Sequence, residues 1–272
     1  RTLCALSYSW LTALNPDPHG LHLQTVVAFL NSTHGLPLKG LFWDWASMPQ
    51  KDGHGKRTKE EGDMFVLGLK VMAGLYASAY GTSVLLQQEV PPPPAEADVT
   101  YNLIPYQQRG WPKLERYAAM IGAVIVAGEG AKDSPKARRK STVAPASPVE
   151  SASVFDAKTC EPVTLRKEDG QPLLEQISPE EFNRKLDDTN THFTGKGDKD
   201  AVKDIYQSAQ KNEYPPEDCQ RIITQIEMNF FDTAFRKAAQ TSETMVLSFS
   251  LLWGHPMSVR VLNETSHDSW FR

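Results

Sequence analysis

The sequence predicts an α/β fold: a doubly wound parallel sheet within residues 1–127, followed by a mainly helical extension. Three observations carry this expectation. Short apolar runs alternate with stretches of helical periodicity. The connections between those runs are long enough for crossovers, which parallel strands require and a hairpin cannot supply. Beyond residue 153 the helical period dominates.

The first run is Leu3-Cys4-Ala5-Leu6-Ser7-Tyr8, closed by Asn15, Pro16, Pro18 and Gly20, which suits a buried strand and a loop. From Leu21, apolar Leu23, Val26, Val27 and Leu30 recur at helical spacing until Gly35 stops them. Gly40-Leu41-Phe42-Trp43-Asp44-Trp45 reads as a second strand, and a polar loop leads from it to Thr58. Thr58 and Glu61 form a capping-box pattern ahead of Phe65, Leu69, Met72 and Leu75-Tyr76, the apolar face of a second helix. Ser83-Val84-Leu85-Leu86 is the third strand. Pro91 to Pro94 opens a stiff excursion that ends at Arg109-Gly110-Trp111, and Pro112 sits where a first helical turn tolerates proline. Leu114, Tyr117, Ala118 and Ile121 give that helix its face, and the run Ala123-Val124-Ile125-Val126-Ala127 is read as a fourth strand.

Residues 128–153, rich in Gly, Lys, Arg, Ser and Pro, form a flexible basic linker, with Lys136-Ala137-Arg138-Arg139-Lys140 a solvated charge run. Residues 154–272 make the extension. Helices are expected over 178–187, where Ser178 and Glu181 repeat the capping pattern, over 199–211, and over 216–239. Residues 245–253 suit either a strand or a helix. Asp198 and Asp200 are expected to cap the second of these helices.

Composition narrows the function. Of 272 residues, 40% are hydrophobic, enough for a substantial core. Twenty-nine basic residues against 33 acidic ones, with a pI near 6.0, leave no global positive field, so nucleic acid is not an expected partner. Cys4, Cys160 and Cys219 lack the spacing of a zinc site or a disulfide framework and suit buried thiols in a reducing, cytoplasmic setting. The apolar stretch 117–127 is shorter than the ~20 residues a membrane span needs. No histidine pair has metal-binding spacing, Gly53-His54-Gly55-Lys56-Arg57-Thr58 fails the Walker pattern, and neither metal nor cofactor is expected. The chain opens at Arg1, as a fragment or a processed form does.

The polar residues that matter gather where strands end: Ser7 and Tyr8 after the first, Asp44, Trp45 and Ser47 after the second. Ligands of open α/β sheets bind outside those carboxyl ends, so these side chains should converge. Glu115 joins them from one turn inside the next helix, where the helix dipole should lower its pKa. Trp111 lies four residues earlier on the same helical face. An aromatic ring there can stack on a flat base while the carboxylate meets a sugar or a developing cation.

The residues also resemble a known group of domains. Ala5-Leu6-Ser7-Tyr8-Ser9-Trp10 is similar to the A-L-S-Y-x-W opening of heterokaryon-incompatibility (HET) domains. Leu41-Phe42-Trp43-Asp44-Trp45-Ala46-Ser47-Met48-Pro49-Gln50 resembles their W-I-D-x-x-C-I-x-Q strand, and Met72 with Leu75-Tyr76-Ala77-Ser78-Ala79 their M-x-x-I-Y-x-x-A helix. Trp111 to Glu115 resembles the W-C-x-x-E of TIR domains, with Pro112 in the place of the cysteine, and Arg109-Gly110-Trp111 echoes the R-P-W of HET proteins. The likeness spans residues 3–125. The extension, with its Phe-Thr-Gly-x-Gly-Asp stretch at Phe193 to Asp198, is similar to that of uncharacterised algal and protist proteins.

This resemblance implies a flavodoxin-like sheet and a signalling domain that hydrolyses the N-glycosidic bond of NAD or a related nucleotide. Glu115 takes the catalytic position, and Ser7, Tyr8, Trp10, Asp44, Trp45, Ser47, Arg109 and Trp111 form the substrate-binding set. NAD enters as substrate, not as cofactor. The alternative is a non-enzymatic module that self-assembles or meets other TIR-like domains, in which Glu115 faces solvent or pairs with an arginine such as Arg109.

Overall fold

The computed structural model describes residues 3–131 apart from 14, 39, 52–54 and 78–81, residues 154–163, residues 177–211 apart from 196, and residues 221–222. In chain order the elements are β1 (Leu3–Ser7), α1 (Leu21–Leu30), β2 (Gly40–Phe42), α2 (Asp44–Ser47), α3 (Lys59–Tyr76) and β3 (Thr82–Leu86). A 3₁₀ turn (Tyr106–Gln108), α4 (Gly110–Ala131), β4 (Val154–Asp156), α5 (Pro179–Leu186) and α6 (Asp198–Gln210) follow.

Among the described residues four strands form one sheet in the order β2-β1-β3-β4, with every pairing between them parallel. Leu3 stands beside Gly40 on one side and Thr82 on the other, and Ser7 beside Leu86. The order reverses at β1 and β3: the chain leaves β1 towards β2, then returns past it to β3 and β4. In open α/β sheets, ligands bind at such a reversal, outside the strands' carboxyl ends.

Every residue of β1 and β3 is buried, because helices cover both faces. Side chains alternate between two cores. Leu3 and Ala5 join the core beneath α3, α4, α5 and α6, whereas Cys4 and Leu6 join the one beneath α1 with Val26 and Phe29. Cys4 is fully enclosed, and burial pushes its thiol up to about 12.

Local signals account for most boundaries. Thr58 accepts from the Glu61 backbone N–H while the Glu61 side chain accepts from that of Thr58, a complete capping box for α3. Ser178 accepts from the Glu181 backbone N–H at the start of α5. Helix α6 is preceded by Gly197 at φ 88, so Asp198 is not its cap and instead accepts from the backbone N–H of Gly195.

Two strand expectations are corrected. Residues 123–127 continue α4, which runs from Gly110 to Ala131. The apolar run follows a helical face without a turn signal, and a buried helix and a buried strand look alike at that length. The fourth strand is β4. The second strand stops at Phe42, because Asp44 begins a short helical turn in which the Trp43 N–H donates to Ser47 Oγ at 3.2 Å. Of the expected helix over 216–239 only residues 221–222 are described, and they are helical; the segment 245–253 and the basic run 136–140 lie outside the described residues.

The described residues beyond 153 share cores with those before it. Val154, Phe182, Leu186, Val202, Ile205 and Tyr206 share a core with Leu3 and Val84, and the Tyr206 ring stacks on Phe182 at 3.9 Å. Among the described residues no helix is long and apolar enough to cross a membrane.

Candidate functional site

Ser7 is the last residue of β1, and its side chain falls on the face that α4 covers. Its hydroxyl donates to Glu115 Oε2 at 2.6 Å and lies 2.6 Å from the Tyr106 hydroxyl. With the serine proton directed at Glu115, Ser7 Oγ accepts from Tyr106. The result is one hydrogen-bonded chain from Tyr106 through Ser7 to Glu115, which joins the 3₁₀ turn, β1 and α4.

Glu115 is only 5% exposed and forms no ion pair among the described residues. Loss of water holds its carboxyl well above the usual range, the charge of Asp44 adds to the effect, and the Ser7 hydrogen bond opposes it. This corrects the expectation that the helix dipole would lower its pKa. A dipole contributes about 0.3–1 kcal/mol at an exposed terminus, whereas burying an unpaired charge costs several.

Asp44, the first residue of α2, has a different environment. It accepts from the Tyr8 hydroxyl at 2.8 Å, Trp10 Nε1 at 3.3 Å and the Trp45 backbone N–H at 2.7 Å. Burial raises its pKa and these three donors oppose the rise. Tyr8 projects to the opposite face of the sheet from Ser7, its ring set edge-on to His22 at 5.2 Å and Trp43 at 5.7 Å. The carboxyl end of β1 thus carries Ser7 with Glu115 on one face and Tyr8 with Asp44 on the other. Two polar atoms beside this edge, Ser9 Oγ and Gln87 Oε1, are buried without a partner, and the Gln87 N–H donates to the Ser7 carbonyl at 2.8 Å.

The remaining expected contacts lie elsewhere. Arg109 is buried and spends its guanidinium on main-chain carbonyls, donating to Ile104 at 2.8 Å, Trp10 at 2.6 Å and Asn102 at 2.5 Å. Burial pushes it down to about 10. Arg109 therefore clamps loops together and is not paired with Glu115. Trp111 turns towards the start of α6, where Nε1 donates to Asp198 Oδ2 at 3.1 Å, and away from the Ser7–Glu115 pair. Ser47 is consumed in the α2 turn, and Trp45 meets Asp44 through its backbone alone.

Tyr106 belongs to the site although no motif marked it. Its only local signal is an aromatic after Pro105, one turn ahead of α4. Among the described residues there is no group of three or more His, Cys, Asp or Glu side chains able to hold a metal ion. Comparison with known proteins returns no matching family model, no matching curated protein and no matching solved structure.

Proposed function

We propose that this chain is a TIR/HET-like signalling domain with a flavodoxin-like sheet, and that it hydrolyses the N-glycosidic bond of NAD or a related nucleotide at Glu115. The observation that carries the reading is a buried, cation-free carboxyl group, hydrogen-bonded by the serine that ends β1. Buried ionisable groups with strongly shifted titration gather at functional sites. The strand order supports the reading too: β2-β1-β3-β4 is the beginning of the 2-1-3-4-5 order, whose ligands sit at the β1/β3 switch.

The two carboxyl groups divide the chemistry. As the bond between the ribosyl carbon and the base nitrogen breaks, positive charge develops on the sugar. Asp44, held by its three donors, stabilises that charge. Glu115, whose carboxyl burial holds well above the usual range, hydrogen-bonds the ribose or passes a proton to the leaving nitrogen. Nicotinamide leaves NAD as a neutral ring without that proton, whereas a purine needs it. Water then adds to the ribosyl carbon and releases its proton to a carboxylate. The unpaired thiols of Cys4 and Cys160 suit a reducing, cytoplasmic setting.

The test is base release by concentrated protein from NAD, NADP and AMP, followed chromatographically. The wild type should release base. Glu115→Gln keeps an acceptor for Ser7 and should be about 100-fold slower or worse with an unchanged circular dichroism spectrum. Intact nucleotides in every reaction, or a Gln variant that keeps pace, would refute the proposal.

A second reading, self-assembly without turnover, draws on exposed Leu23 and Val27, one turn apart on α1. In that case sedimentation would find oligomers that Leu23→Glu disperses while every nucleotide stays intact.

A further inference from the structure

We propose that a cleft between α4 and α5 binds the phosphate group of a small phosphorylated ligand. The cleft has a volume of about 210 Å³ and is lined by Tyr106, Lys113, Arg116, Tyr117, Lys185 and Asp188. Neither Ser7 nor Glu115 lines it, so it is separate from the candidate catalytic pair.

Three cations against one acid give it a positive balance. Arg116 makes no hydrogen bond or ion pair among the described residues, so its planar fork of donors is free for a ligand. Lys185 has one ion pair, 3.6 Å from Glu181 on its own helix. Lys113 donates to the Lys185 carbonyl at 3.2 Å and to Thr191 Oγ1, which leaves one of its three protons unassigned. Burial pulls the Lys113 ammonium below its usual range, with Asp188 opposing and the Lys185 charge reinforcing the fall. An anion seated among these groups relieves that repulsion and takes donors from several directions, which suits a tetrahedral dianion better than a planar carboxylate.

Size limits the ligand. Pockets for drug-sized molecules run to about 300–1,000 Å³, so this cleft fits a phosphate and an attached sugar better than a whole dinucleotide. Tyr106 links the two places: it lines the cleft, and its hydroxyl meets Ser7. The inference stands on the cleft itself and holds whether or not Glu115 turns over a substrate.

Calorimetric titration at fixed ionic strength tests it, with inorganic phosphate, ribose 5-phosphate, ribose and acetate as probes. Phosphate and ribose 5-phosphate should bind, while ribose and acetate should not. Arg116→Gln and Lys185→Gln should each weaken binding about tenfold, and Glu115→Gln should bind like the wild type. Tighter binding of the sugar phosphate assigns the cleft to phosphorylated metabolites, and equal binding assigns it to free phosphate. Absence of binding by either phosphate at about 10 mM, equal binding of acetate, or undiminished affinity in the Arg116→Gln, Lys185→Gln double variant overturns the proposal.

Discussion

At Glu115, the way the side chain is buried sets how stability follows pH. Its folded pKa lies above the ordinary value of 4.5. Below that value both folded and unfolded chains hold the proton, and the contribution to stability is complete. As pH rises, the unfolded chain releases its proton first, and stability falls by up to about 1.4 kcal/mol per pH unit until the folded pKa is passed. Glu115→Gln has no proton to lose. Its melting temperature should therefore gain on the wild type as pH rises above about 5, and a constant difference would mean that folding does not raise the Glu115 pKa. Ser7, Tyr8 and Asp44 were legible as site candidates because strand ends mark them. The rise in the Glu115 pKa was not, because it depends on how deeply the folded chain buries the carboxyl. Side-chain direction was hidden as well: Arg109 found three carbonyls, and Trp111 found an acid 87 positions away.

Among the elements, the start of α4 is held by the segment 189–198. Gly110 N–H donates to the His192 carbonyl at 3.0 Å, and His192 N–H donates to that of Gln108 at 2.7 Å. A Cβ on Gly110 would lie 1.9 Å from Phe193 Cε1. Gly110→Ala must push that ring aside and should cost about 1–3 kcal/mol in urea denaturation, most of it recovered when Phe193→Ala is added. An unchanged midpoint would show that the approach is loose. Elements with strong local signals were legible from sequence: α1 from its periodicity, and α3 from Thr58 and Glu61. The end of α4 was not, because Val124-Ile125-Val126 serves a strand or a buried helix equally well. Nor was β4, whose three residues are a strand only by virtue of pairing with β3.

For the molecule as a whole, one core crosses the boundary that composition draws. The linker-like stretch 128–153 separates two sequence regions, but β4 extends the sheet and α5 and α6 pack on the same side of it as α3 and α4. A fragment ending at residue 127 loses Val154, Phe182, Leu186, Val202, Ile205 and Tyr206 from that core. Such a fragment should bind a hydrophobic dye and melt without a sharp transition, and a cooperative melt would show that the first region folds alone. Strand order also bears on how the chain is made. Of the four strands β1 is synthesised first, yet it belongs in the interior of the sheet, between β2 and β3. Its row Leu3-Cys4-Ala5-Leu6 has no parallel partner on its β3 side until Thr82–Leu86 has left the ribosome. For that interval the nascent chain carries an apolar strand with open hydrogen-bonding edges, the feature most prone to association with other chains. Expression of this protein should therefore depend on whatever shelters β1 during translation.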